Sequence, residues 1–305
     1  MKALKNIWKI ICYPLMYLAI QFVFAFVYTM FVTIVALMQL MIDSIVSGKE
    51  FEVSEAEIYD KLMSMIDINL ITIISALISL FIVFMIMRKQ WKAERFWTFK
   101  KVEFLPLLLC GFLGISSNLF INCIISLLPV EDLQNTMLER LFQSNIVLQF
   151  LCIAIVVPII EEIVFRGIVQ KRLNKMMIPF AAIIIQALIF GIAHLNPVQS
   201  TYTFFIGIII GIVYLLFDSI WYPIIIHVTL NGTSVFLTAF LGDKEVNLLI
   251  LIIVSFIIFA ISTVCLIILG QKRKKDPIVV APLIVPVTAT ALKPMIINPQ
   301  NRWDY

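Results

Sequence analysis

Long apolar runs, interrupted at intervals by short charged stretches, set the pattern of this chain. A membrane-spanning helix needs ~20 predominantly apolar residues. Eight stretches meet or approach that length: Cys12–Met41, Ile68–Met87, Leu105–Leu128, Ile146–Phe165, Ile178–Val198, Tyr202–Phe217, Ile220–Phe240 and Leu248–Leu269. They predict an all-α, polytopic membrane bundle of about eight transmembrane helices. The basic start, with Lys2, Lys5 and Lys9, looks like the head of a signal peptide. The apolar run behind it extends from Ile10 to Ile42 without a small-residue cleavage site, far beyond the ~7–15 residues of a signal core, so it reads as a spanning helix. Residues 1–270 therefore read as one transmembrane domain, and 271–305 as a tail. After Lys275 that tail holds five prolines and no glycine. Proline removes helix hydrogen bonds, so the tail is expected to be extended or disordered. Val130–Ser144 is polar and reads as an interfacial helix or a loop.

Composition strengthens the membrane reading. Of 305 residues 62% are hydrophobic and 14% charged, with mean hydropathy +1.04. Soluble domains carry roughly 25% charged residues, so this chain lacks the charges to cover a water-facing surface. The five cysteines are scattered singly, without metal-site spacing, and read as small buried hydrophobes. Basic residues cluster at Lys2–Lys9, Arg88–Lys101, Lys171–Lys175 and Lys272–Lys275, which are alternate connections of an eight-helix scheme. The connection from Asp43 to Asp67 is acidic. The positive-inside rule then places both termini in the cytoplasm of a cell membrane. The Lys272–Lys275 run is first a topology signal and second a candidate contact for anionic lipid. An Ile- and Lys-rich composition suggests a bacterium.

Ionisable groups within membrane spans are costly and mark function by default. Here they gather in residues 146–240. Glu162 and Arg166 are four apart on one helix face, in the favourable order for pairing. Glu161 lies about 100° round the helix, without that partner. An unpaired carboxylate in a poorly solvated site suits proton transfer. The bland reading is that all three merely cap the cytoplasmic edge of the membrane. The chain's two histidines follow: Gln186, Phe190 and His194 share one face of the fifth segment, and His227 and Asn231 one face of the seventh. Either histidine alone reads as a helix–helix hydrogen-bond partner. Helix lengths allow Glu161 and His194 to meet, both ~24–25 Å from the turn near Met177. His227 is only ~12 Å from its own turn. The levels agree if the fourth helix projects beyond the bilayer and Leu195–Thr201 forms a raised loop.

This set lacks a side-chain nucleophile, which makes water the economical one. Glu161, helped by His194, would deprotonate it, and His227 and Asn231 would donate hydrogen bonds to the oxyanion. That chemistry hydrolyses amides and requires no cofactor. Zinc is the alternative, with Glu161, His194 and His227 as ligands and water in the open position. The HExxH motif is absent.

The ordered elements Glu161-Glu162-x-x-x-Arg166, Phe190-x-x-x-His194 and His227-x-x-x-Asn231 resemble the motifs of the CAAX-protease and bacteriocin-processing (CPBP, or Abi) family of intramembrane endopeptidases. All seven motif positions are present, within residues 146–240. The resemblance implies an eight-helix bundle, Glu161 as the base, and Glu162, Arg166 and Phe190 in support. It also implies a membrane-associated protein or peptide as substrate, CAAX-type or bacteriocin-related, and leaves both glutamic and metallo-type chemistry open. The partners expected are that substrate and the lipid bilayer, with no nucleic acid. Two other classes compete. An ion- or proton-coupled transporter would also place Glu, Arg and His in the membrane, but the first 145 residues hold no second copy of the polar set. A non-catalytic bacteriocin-immunity protein would explain the bundle but not the intact trio.

Overall fold

The computed structural model describes residues 2–48, 54–94, 100–128, 141–142, 144–240 and 247–275. These residues form nine helices: α1 (Lys2–Ser47), α2 (Glu55–Met65), α3 (Ile68–Glu94), α4 (Phe104–Ser126), α5 (Ile146–Asn174), α6 (Pro179–Ile192), α7 (Pro197–Phe217), α8 (Trp221–Phe240) and α9 (Leu248–Lys275). Among the described residues no strand occurs. Apolar side chains such as Phe22, Phe26, Phe81 and Phe256 are exposed, whereas Glu162, Arg166, Gln170 and Gln186 are fully buried. A solvent of lipid dictates that inversion, because polar groups there must find partners inside the bundle.

Seven of these helices are long and apolar enough to span a membrane. The expected fifth span, Ile178–Val198, is instead a helix of 14 residues followed by a break. Pro197 disfavours helical backbone at the residue before it. Asn196 is accordingly extended (φ −120°, ψ 124°), and Leu195 takes a left-handed conformation (φ 56°). Asn196 then caps the next helix by accepting from the Gln199 N–H at 2.9 Å. The raised loop expected over Leu195–Thr201 is thus a short junction at 193–196, with α7 already helical from Pro197. Other limits also move: α1 extends to Lys2 and Ser47, α3 to Glu94, α5 runs 29 residues rather than 20, and α9 continues to Lys275, past the boundary placed at residue 270. The proline-containing tail beyond Lys275, and most of Val130–Ser144, lie outside the described residues.

α2 is the one polar helix among the nine. It starts on a capping box in which the Ser54 hydroxyl accepts from the Glu57 N–H while Glu57 accepts from the Ser54 N–H. These bonds hold the Glu57 carboxyl below its usual range.

Two close approaches build the core. Gly114 of α4 faces Thr229 and the Ile226 carbonyl of α8 so tightly that a Cβ there would overlap them. α6 and α7 meet through Gly191, where a Cβ would stand 2.7 Å from the Ser200 carbonyl oxygen, and through Gly207 against Ala187. Small residues let helix backbones approach where lipid gives no hydrophobic drive. At one end of the bundle Lys100 pairs with Asp218, the Ser219 hydroxyl donates to the Lys100 carbonyl, and Arg273 pairs with Glu103 at 3.3 Å. At the other end the Ser144 hydroxyl donates to Asp67 at 2.7 Å, and the Asn69 amide donates to the Leu141 carbonyl at 2.8 Å.

Candidate active site

α5 carries the two glutamates on an unusual winding. Its α-helical stretch Val157–Glu162 lies between π-helical stretches at Phe150–Val156 and Ile163–Gln170. In the first of these the Val157 N–H reaches the Cys152 carbonyl, five residues back. Pro158 comes next in that register and has no N–H to give, which frees the Ile153 carbonyl. Asn231 of α8 takes the vacated place, donating from Nδ2 to Ile153 O at 3.0 Å. One amide hydrogen of Asn231 therefore satisfies the backbone, and the other remains for the cavity that Asn231 lines.

Glu162 and Arg166 pair within the helix as their spacing predicts, with Arg166 Nη1 donating to Glu162 Oε1 at 2.9 Å, both side chains fully buried. The same oxygen also takes His227 Nδ1 at 2.7 Å. Glu161 is not isolated: its Oε2 lies 3.6 Å from His227 Nε2. One imidazole thus stands between two carboxylates from adjacent positions of α5. An ionised carboxylate can only accept, so both ring nitrogens need hydrogens for both contacts to be attractive. Arg166 and His227 thus stand against the two carboxylates inside a poorly solvated site, where an ionisable group needs such partners.

His194 stands in the junction after α6, with Nδ1 2.8 Å from the Phe190 carbonyl oxygen. A carbonyl only accepts, so Nδ1 carries the hydrogen and Nε2 is left as a lone pair. Phe190 joins the parts. Its ring lies edge-on to His194 at 4.8 Å and to His227 at 5.8 Å, and the Arg166 guanidinium sits over it at 4.5 Å. Gly207 makes room, since a Cβ there would stand 3.4 Å from the Phe190 ring.

The levels come together without the raised loop expected at Leu195–Thr201. Glu161 is 13 residues from the C-terminal end of α5, ~20 Å, while His227 is ~9 Å into α8. Contact between them means that α5 projects beyond α8 by roughly 10 Å at that end.

Glu161, 17% exposed, is the carboxylate of the pair that reaches open space. With His194 and Asn231 it lines a cavity of about 530 Å³. The cavity also receives Asn122, Gln199 and Tyr202, which were not singled out from the sequence because isolated polar residues near helix ends carry no motif. Gln170 was missed as well, although it continues the Glu162–Arg166 face by one more turn. It donates to the Gly211 carbonyl at 2.8 Å, as Arg166 does to that of Gly207 at 3.5 Å.

Among the described residues no three His, Cys, Asp or Glu side chains converge in a way that would hold a metal ion.

Residues 143–233 match the family model described as Rce1-like, type II CAAX prenyl endopeptidase. The match contains all seven motif positions and agrees with the resemblance to CPBP intramembrane endopeptidases. It supports a protease of the CAAX type at the level of the family. No curated protein and no solved structure matches the chain.

Proposed function

We propose that this protein is an intramembrane endopeptidase in which Glu161 activates water against a peptide carbonyl of a membrane-associated protein or peptide. The match of residues 143–233 supplies the reaction class. One observation carries the residue assignment. Glu161 is the member of a buried ionisable set that faces the cavity, linked through His227 to Glu162 and Arg166.

Each group then has a step. Water bound between Glu161 and Nε2 of His194 gives its proton to the Glu161 carboxylate as its oxygen attacks the carbonyl carbon. The negative charge that develops on the carbonyl oxygen meets Nε2–H of His227 and the free amide hydrogen of Asn231. Collapse of the tetrahedral intermediate expels the amine, which takes the proton held by Glu161. Glu162 and Arg166 touch no substrate: Glu162 fixes the His227 ring and Arg166 holds Glu162. Phe190 sets the distance between the two imidazoles.

The test is turnover of a peptide library, prenylated and unprenylated, by detergent-purified protein and its Glu161→Gln variant. Glutamine is nearly isosteric but accepts no proton, so turnover should fall by ~10²–10⁴-fold while peptide binding persists. Undiminished turnover by a correctly folded Glu161→Gln protein would overturn the proposal.

A further inference from the structure

We infer that the cavity above Glu161 opens to the extracytoplasmic side, so that the segment cut belongs to an exported or surface-anchored polypeptide. The inference rests on the endopeptidase reading for its substrate class, but its geometry stands apart from that reading.

The first observation is where the cavity wall lies along each helix. Ile68 and Thr72 are in the first turns of α3, Ile125 in the last turn of α4, Gln199 in the first turn of α7 and Thr238 in the last turn of α8, with Glu161 near the middle of α5 as the floor. All these positions belong to one end of the bundle. The opposite helix ends are tied together without touching the cavity, by Lys100 with Asp218, Arg273 with Glu103, and the Arg172 guanidinium over the Tyr13 ring at 4.7 Å. Five elements meet there: the start of α1, the start of α4, the end of α5, the turn between α7 and α8, and the end of α9.

The second observation is charge, and it is independent of the cavity. Segments 43–67, 129–145 and 241–247 connect the cavity-side helix ends and together carry twelve acidic residues and four basic ones. At the tied ends stand Arg88, Lys100, Lys101, Lys171, Arg172, Lys175, Lys272 and Arg273. Lysine and arginine accumulate on the cytoplasmic side of spanning helices, which orients the tied face inward and the cavity outward. A peptide coming from the outer face reaches Glu161 along the cavity, whereas on the tied face the paired helix ends stand between it and Glu161.

The experiment labels the full-length protein in spheroplasts with a membrane-impermeant maleimide. Gln199→Cys and Thr238→Cys probe the cavity wall on two helices, and Lys272→Cys probes the tied face, each scored above the parent chain with its five native cysteines. Gln199→Cys and Thr238→Cys should label at least tenfold faster in intact spheroplasts than Lys272→Cys, which should react only after permeabilisation. The reverse order overturns the inference. So does a Gln199→Cys that labels only after permeabilisation, whatever Thr238→Cys does. Turnover is scored separately in detergent, where both faces are open. Its absence there would strike the endopeptidase reading alone, because labelling reports sidedness without catalysis.

Discussion

Replacing Glu162 with glutamine should destabilise the bundle severely, and the structure sets the scale. The Glu162 carboxylate accepts from Arg166 at 2.9 Å and from His227 at 2.7 Å through the same oxygen, with no exposure of either Glu162 or Arg166. Glutamine keeps the shape and one carbonyl acceptor but removes the charge, leaving a guanidinium buried without a counter-ion. Breaking such a pair from one side costs about 3–5 kcal/mol, or roughly 10²–10⁴-fold in the folding equilibrium. Glu161→Gln is the internal control. Its nearest charged contact is 3.6 Å away and its side chain is partly exposed, so its loss should cost under about 1 kcal/mol. Unfolding in mixed micelles titrated with SDS, followed by tryptophan fluorescence, measures both. The double change Glu162→Gln with Arg166→Met then separates charge from packing. It removes the stranded cation, so it should recover at least half of the lost stability and none of the turnover. Equal stability of the two single glutamine variants would refute the division of labour between the carboxylates. A double variant no better than Glu162→Gln alone would refute the charge argument.

Other predictions follow from single contacts. Asn231→Ala should lose roughly 10²–10³-fold in turnover through the oxyanion donor, and about 1–3 kcal/mol of stability because the Ile153 carbonyl is stranded. Adding Pro158→Ala, which restores an N–H in the register of that carbonyl, should return stability measured by SDS titration without returning turnover. Gly114→Ala should collapse folded yield on size-exclusion chromatography, because its methyl group would overlap Thr229 and the Ile226 backbone. A zinc chelator should leave turnover unchanged, and loss of activity that added zinc restores would refute the metal-free mechanism.

The sequence disclosed some of this and concealed the rest for physical reasons. Apolar runs are decisive where a helix must match the bilayer, so α3, α4, α7, α8 and α9 were legible within a few residues over most of their limits. α6 was not, because Ile178–Val198 is apolar throughout and hydropathy does not register the left-handed Leu195 or the extended Asn196. The pairing of Glu162 with Arg166 is local and could be read from a spacing of four. That His227 would bridge both glutamates could not, since a non-local contact depends on how far α5 projects past α8. The partner of Asn231 was equally hidden, because it exists only where a π-helical register meets Pro158.

The brevity of α6 has a consequence for the surrounding lipid. At 14 residues it is ~21 Å long, against a hydrocarbon layer of ~30 Å, and Phe180, Leu188 and Ile192 leave its flank facing outward. The mismatch approaches 9 Å, and each ångström costs a fraction of a kcal/mol. The leaflet should relieve it by dimpling over the junction that holds His194, carrying interfacial water down towards the imidazole. Bilayer thickness then becomes a control on hydration of the site: long acyl chains would oppose the dimple, and short ones would deepen it.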